Sequence, residues 1–252
     1  MNTPVPIQQV FESLWRRSRH SLSLFMVGVC VVFFAGTGLA TALRIVDRGD
    51  LVACLGLSYA GVVERHWLFQ WVTAPLLHAN VYHLLFNMLS LWMLGPDIEG
   101  ILGRRRYIVL SITSAVCGMA GFLVLDRGQG HIVMGYSGVI FGILVAQAVF
   151  NPDKRLLLYF FPIPMRHAVL ILGAVELYLA VAPEEGGTVA HAAHLFGAGS
   201  AYGLLRFWRR RCGGLHPAAS AVPAGPSTVP PTPRSGPAPK RKLRRNEIPD
   251  RL

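Results

Sequence analysis

Residues 21–43, SLSLFMVGVCVVFFAGTGLATAL, contain no Lys, Arg, Asp or Glu. A helix rises ~1.5 Å per residue, so this stretch reaches the ~20 residues needed to cross ~30 Å of hydrocarbon. Tyr107 to Leu125 is free of charge in the same way. The composition agrees: of 252 residues 52% are hydrophobic and 15% charged, with a mean hydropathy of +0.44, whereas a soluble domain carries about a quarter charged residues. The fold class expected is an all-α polytopic membrane protein.

Four further spans are expected at Val81 to Leu94, Ile132 to Phe150, His167 to Val181 and Val189 to Leu205, each bounded by polar, Gly- or Pro-containing segments. The segment from Val81 is short. With Ala74 to Asn80 leading in, it reaches spanning length and begins beside a cavity. No small-residue cleavage site follows the first span, so it is expected to be retained rather than removed as a signal peptide.

Basic residues set the orientation. Arg16, Arg17 and Arg19 precede the first span, and Arg104, Arg105 and Arg106 separate the second and third. Lys154, Arg155 and Arg166 separate the fourth and fifth, and Arg209, Arg210 and Arg211 follow the sixth. All fall on one side, while Asp126 and Arg127 nearly cancel and Pro183-Glu184-Glu185-Gly186 is acidic, so both termini are expected in the cytoplasm. The net charge of +11 requires no nucleic-acid partner. Eleven Lys and Arg from Arg206 onward face only Glu247 and Asp250. The tail between them is too rich in Pro, Ala, Ser and Gly to fold. Its KRKLRR run, residues 240–245, either attracts anionic headgroups or is a solvated basic segment. Cys30, Cys54, Cys117 and Cys212 show no spacing for metal or a disulfide framework and read as small packing residues.

Polar side chains within the spans are few, and they are costly in hydrocarbon unless paired or wetted. HANVYHLLFN (78–87) supplies His78, His83 and Asn87, the last two four residues apart on one helix face. GYSG (135–138) supplies Ser137, and AHAAHLFGAG (190–199) supplies His191 and His194. Each has a structural reading: His83 and Asn87 as hydrogen bonds between helices, Ser137 as a small packing residue. Together, at the outward ends of three spans, they are the parts of an acyl-transfer site: a nucleophile, a base and donors for an oxyanion. Glu176 in the fifth span either faces the cavity or pairs internally.

The order His-x4-His-x3-Asn, then GYSG, then AHLFG on the last helix resembles the rhomboid intramembrane serine proteases, over Trp67 to Tyr202. WLFQWVTAPLLHA (67–79) is similar to that family's first outer loop, and EGILGRRRY (99–107) to its Glu-x-x-x-Gly and basic stretch before the third helix. The sequence departs at Gln70, where the family often carries arginine beside a tryptophan.

The resemblance implies a six-transmembrane-helix rhomboid-like bundle and a serine endopeptidase cutting in or near transmembrane segments of other membrane proteins. Ser137 would be the nucleophile, and Gly135 and Gly138 would allow close backbone approach. Gly138 and Gly142 would pack against Ala193, Gly197 and Ala201. His83, Asn87 and the Ser137 N–H would meet the oxyanion, with His78 supporting the loop. Of the two histidines, His194 is favoured as base, because the small residues expected three and seven positions later are then Gly197 and Ala201. His191 is expected at the cavity mouth, bonding water. No acid lies in the first turns of the sixth span, so a Ser-His dyad is expected, with the Phe141 ring stacked on the base in place of a third hydrogen bond.

The domains expected are a cytoplasmic segment at 1–20, the membrane domain at 21–207 and a disordered cytoplasmic tail at 208–252. The partners expected are transmembrane substrates and the lipid bilayer, with no nucleic acid, cofactor or metal. The location expected is the cell membrane, a bacterial inner membrane. Two other classes compete: an inactive rhomboid-like binding protein, which would lack the serine or histidine, and a small transporter, which would show internal repeats.

Overall fold

A computed structural model describes residues 21–158, 161–181 and 188–211. The N-terminal segment, the acidic Pro183–Gly186 loop, Cys212 and the tail lie outside the described residues.

The fold is largely helical. Helix α1 spans Leu22–Ala42, α2 Arg48–Leu55, α3 Gln70–Thr73, α4 Val81–Leu102, α5 Arg104–Asp126, α6 Ser137–Phe150, α7 Met165–Val181 and α8 Thr188–Arg211. By length and composition α1 and α5 are long and apolar enough to cross a membrane, and α6 is a shorter apolar helix. Their outer faces carry exposed Phe25, Val32, Ile112 and Val124, while the core between α4, α6 and α8 is built from Leu91, Ile98, Ile143, Ala146, Ala201 and Leu205.

Three sequence expectations need correction. The stretch from Ile132 to Phe150 is not one helix: Ile132–Val133 is a strand, β2, paired antiparallel with β1, Leu57–Ser58, and the helix starts only at Ser137. Gly135, at φ 107°, turns the chain where a right-handed helix could not continue. The expected end of the second span at Leu94 is also passed, since α4 runs two turns beyond it with Pro96 inside. Finally, the all-α expectation omits β1–β2 and a hairpin of β3, Arg155–Leu158, with β4, Phe161–Pro164. Strands of two to four residues are too short to leave a legible alternation.

The basic groups gather at one end of the bundle. Arg209 donates to the Val149 carbonyl at the end of α6, Arg106 at the start of α5 stands over the Trp208 ring of α8, and Lys154 pairs with Asp97 of α4. At the same end Glu99 of α4 closes the start of α1: its carboxylate accepts from Ser21 Oγ at 2.7 Å and from the Leu22 N–H at 3.0 Å. The Leu22 N–H, with the Ser23 N–H at 3.4 Å from the same carboxylate, is one of the donors that a helix start leaves unpaired. Ser23 Oγ donates to the Tyr107 hydroxyl at 2.7 Å, joining α1 to α5 over Gly95, where a Cβ would lie 2.4 Å from Ser23 Oγ. Gly103, at φ 75°, makes the reversal between α4 and α5. The EGILGRRRY stretch therefore combines a cap, a turn and a basic boundary.

Gln70 is fully buried. Its Oε1 accepts from the Ser58 N–H at 3.2 Å and its Nε2 donates to the Ala53 and Cys54 carbonyls at 3.2 and 3.0 Å. It braces the outer loop from within. Cys54 is exposed, which corrects its reading as a packing residue, whereas Cys30 is buried in the core.

Small residues allow α5, α6 and α8 to approach through their backbones, as expected for Gly138, Gly142, Gly197 and Ala201. A Cβ at Gly197 would lie 2.6 Å from the Gly138 carbonyl oxygen, and one at Gly142 would lie 2.2 Å from Ser114 Oγ and 3.3 Å from Ala201 Cβ. The sequence reading missed the contribution of α5: a Cβ at Gly118 would lie 2.9 Å from the Ala193 carbonyl oxygen. Gly197→Ala pushes on a backbone that cannot swing aside. It is expected to cost about 1–3 kcal/mol as overpacking, read as a lower thermal midpoint in detergent. Gly199→Ala meets nothing within 4 Å and should leave the midpoint where it is.

Candidate active site

Ser137 is the first residue of α6, at the end of the bundle opposite the basic groups. A helix start leaves its first N–H groups without intrahelical partners and carries the positive end of the helix dipole, so the Ser137 hydroxyl sits beside free donors. Its Oγ lies 2.7 Å from His194 Nε2 on α8. The Phe141 ring, one turn along α6, stacks on the His194 imidazole with centroids 4.8 Å apart and planes 8° from parallel.

His194 Nδ1 also has a partner. It lies 2.8 Å from Glu176 Oε2 on α7, and His191 Nδ1 lies 2.8 Å from the same oxygen. The expectation that ring stacking stands in place of a third hydrogen bond is thus corrected, because stacking and hydrogen bond are both present. The sequence reading looked for an acid on the helix that carries the base, whereas this acid comes from the neighbouring helix. The open question on Glu176 resolves as internal pairing. Glu176, His191 and His194 are also a group whose ligating atoms all lie within 4.8 Å of one another; both histidine Nδ1 atoms hydrogen-bond the carboxylate.

The α4 residues approach from the other side. Asn80 caps α4 by accepting from the His83 N–H at 2.9 Å. The His83 ring packs against Gly135, where a Cβ would lie 2.7 Å from both His83 Cε1 and Nε2. Asn87 is buried and its Nδ2 donates to the His83 carbonyl at 2.7 Å. His78 is buried, with Nδ1 on the Leu76 carbonyl at 3.0 Å and its ring edge-on to His83. The structure brings Ser137, His194, Phe141, Gly138 and Gly197 together directly and sets His83 against Gly135. It gives Asn87 a partner within its own helix. A cavity of about 30 Å³, lined by Pro75, Gly135, Ser137, Gly138, Ala193 and His194 among others, has room for roughly one or two waters.

A largely helical, apolar bundle in which a hydroxyl and an imidazole from two closely packed helices meet beside a helix N-terminus belongs to the class of membrane-embedded proteins with a serine–histidine site. The Rhomboid domain family matches residues 65–209, more than half of the chain, and the chain belongs to that family. It is accordingly an integral membrane protein. Among curated relatives, "Rhomboid protein 1, mitochondrial" of Saccharomyces cerevisiae is 33% identical over 135 residues, covering 52% of this chain and 38% of the relative. "Rhomboid protease GlpG" of Pectobacterium atrosepticum is 30% identical over 156 residues, covering 60% and 52%. The protein of the same name from an Enterobacter species is 27% identical over 134 residues, covering 53% and 45%. The chain thus spans about two-fifths to half of the length of these relatives.

Gly135→Ala adds a Cβ 2.7 Å from the His83 ring and strains a backbone at φ 107°. Because a displacement of about 1 Å can cost about a hundredfold in rate, labelling of Ser137 by a fluorophosphonate probe should fall by at least tenfold in this variant. Gel fluorescence against wild type reads it.

Proposed function

We propose that the chain is an intramembrane serine endopeptidase that hydrolyses peptide bonds in or near transmembrane segments of other membrane proteins. The observation that carries this reading is the 2.7 Å separation of Ser137 Oγ and His194 Nε2, between helices packed too closely for a side chain at Gly197. In this reading Ser137 attacks the scissile carbonyl while His194 accepts its proton, then returns it to the leaving amine, and water hydrolyses the acyl-enzyme. The oxyanion is met by the Ser137 N–H, with His83 and Asn87 as further donors. Gly135 and Gly138 permit the approach, Phe141 and Gly197 hold the base, and His78 supports the loop. Family membership and relatives named as rhomboid proteases support the protease reading over an inactive binding protein, as does retention of both serine and histidine.

The membrane domain, residues 21–207, is read as six spans built on α1, α4, α5, α6, α7 and α8, flanked by a cytoplasmic segment at 1–20 and a cytoplasmic tail at 208–252. Collection of Arg106, Lys154 and Arg209 at one end supports an orientation with that end in the cytoplasm and the Ser137 end outward, in a bacterial inner membrane. Substrate helices would have to unwind at the cut, since a hydrogen-bonded helix shields its carbonyls from attack.

Purified protein incubated in detergent with a model transmembrane substrate should yield a fragment that disappears in Ser137→Ala, with the fold retained. Undiminished cleavage by that variant would remove the assignment. Assayed side by side, His194→Ala should abolish cleavage and His191→Ala should retain it; the reverse would make His191 the base. A reporter fused after Arg211 should be active inside the cell and one inserted near Gly186 active outside.

A further inference from the structure

We infer that Glu176 is the positioning residue of the base, so that the site is a three-helix Ser137–His194–Glu176 triad rather than a dyad. The inference rests on the proposed roles of Ser137 and His194. A carboxylate only accepts hydrogen bonds, so the 2.8 Å contact to Glu176 Oε2 requires the proton of His194 on Nδ1. The lone pair is then on Nε2, the atom 2.7 Å from Ser137 Oγ. With the other tautomer Nε2 would carry hydrogen and could not take the serine proton. Stacking on Phe141 fixes the plane of the ring but does not choose the tautomer, because an aromatic face has no directional acceptor in that plane. The carboxylate makes that choice, and it stabilises the imidazolium formed when the proton arrives.

Burial strengthens the effect. Only 13% of the Glu176 side chain and 20% of the His194 side chain are exposed, so water competes weakly for the bond. His191 donates to the same oxygen from a more exposed position, at 29%. It shares that oxygen and makes no hydrogen bond to Ser137. A competing reading makes Glu176 a tether of α7 to α8, since both its partners lie on α8. The two readings differ in what each histidine should do. A tether is loosened by loss of either histidine, whereas a positioning residue acts through His194 alone.

The test compares wild type, Ser137→Ala, Glu176→Gln and His191→Ala, purified in detergent, on one transmembrane substrate. The neutral isostere Glu176→Gln is expected to lower kcat roughly a hundredfold with KM within about twofold and an unchanged thermal midpoint. Fluorophosphonate labelling of Ser137 should fall in parallel, and His191→Ala should stay within about threefold of wild type. Equal kcat in wild type and Glu176→Gln, or equal losses in Glu176→Gln and His191→Ala, would overturn the inference while leaving the protease reading intact. An inactive wild type would overturn both. If Glu176→Gln does not fold, proton NMR on wild type, His191→Ala and His194→Ala decides. A downfield Nδ1–H resonance, present in wild type and His191→Ala and missing in His194→Ala, supports the bond to the carboxylate; its absence from wild type refutes it.

Discussion

Gly197 has no room for a side chain. A Cβ there would lie 2.6 Å from the Gly138 carbonyl oxygen, so α6 and α8 touch through their backbones at the level of the site. Ser137 precedes Gly138 by one residue and His194 precedes Gly197 by one helical turn. The hydrogen bond between them is therefore a consequence of the glycine contact. A single methyl at the crossing would move one helix by more than the tolerance of a 2.7 Å bond. The same contact distinguishes the two histidines, because counting three residues on from His191 would put an imidazole where only glycine fits.

Several polar groups in this apolar bundle form closed sets, which lowers their cost where water is scarce. At the basic end Glu99 is consumed by the start of α1, and Ser23 and Tyr107 satisfy each other. In the outer loop Gln70 satisfies three backbone groups. The opposite end is different in kind. There Ser137, His194 and Glu176 are linked in series, and buried His78 Nε2 and Asn87 Oδ1, like Ser111 Oγ, Ser114 Oγ and Asp126 Oδ2, have no hydrogen-bond partner among the described residues. In the proposed reaction the proton moves only between Ser137 and His194, while the carboxylate orients the ring.

Much of this was legible in the sequence, for physical reasons that particular residues make plain. The charge-free runs at 21–43 and 107–125 must be helices in hydrocarbon, and α1 and α5 follow them within a few residues. The resemblance carried by GYSG and AHLFG implied the α6–α8 contact, and glycine at 138 and 197 permits it. Two features beside Ser137 and His194 escaped. Glu176 is isolated in its own helix, and pairing across helices has no sequence period, so its proximity to His194 could not be read from spacing. The break at Gly135 was hidden because an apolar run looks the same whether its first residues are helix or strand.

That hidden break connects the loop to the chemistry. Helix α6 has 14 residues, a rise of about 21 Å at ~1.5 Å per residue, short of ~30 Å of hydrocarbon. In the six-span reading its N-terminus therefore lies below the outer surface, and residues 132–136 run as non-helical backbone at membrane depth. Such backbone survives only if protein satisfies it. Here the β1–β2 pairing does so at Ser58 and Leu57, and the Gly135 N–H donates to the Ala74 carbonyl at 2.9 Å. The outer loop that supplies both partners is in turn held by Gln70, against which Gly61 packs so closely that a Cβ would lie 2.2 Å from Gln70 Oε1. A helix continued back to Ile132 would satisfy its own backbone and need no such loop. It would also bury the N–H groups beside Ser137 in helical hydrogen bonds and fill the cavity in front of them, so the braced loop and the short helix are a single requirement of the site.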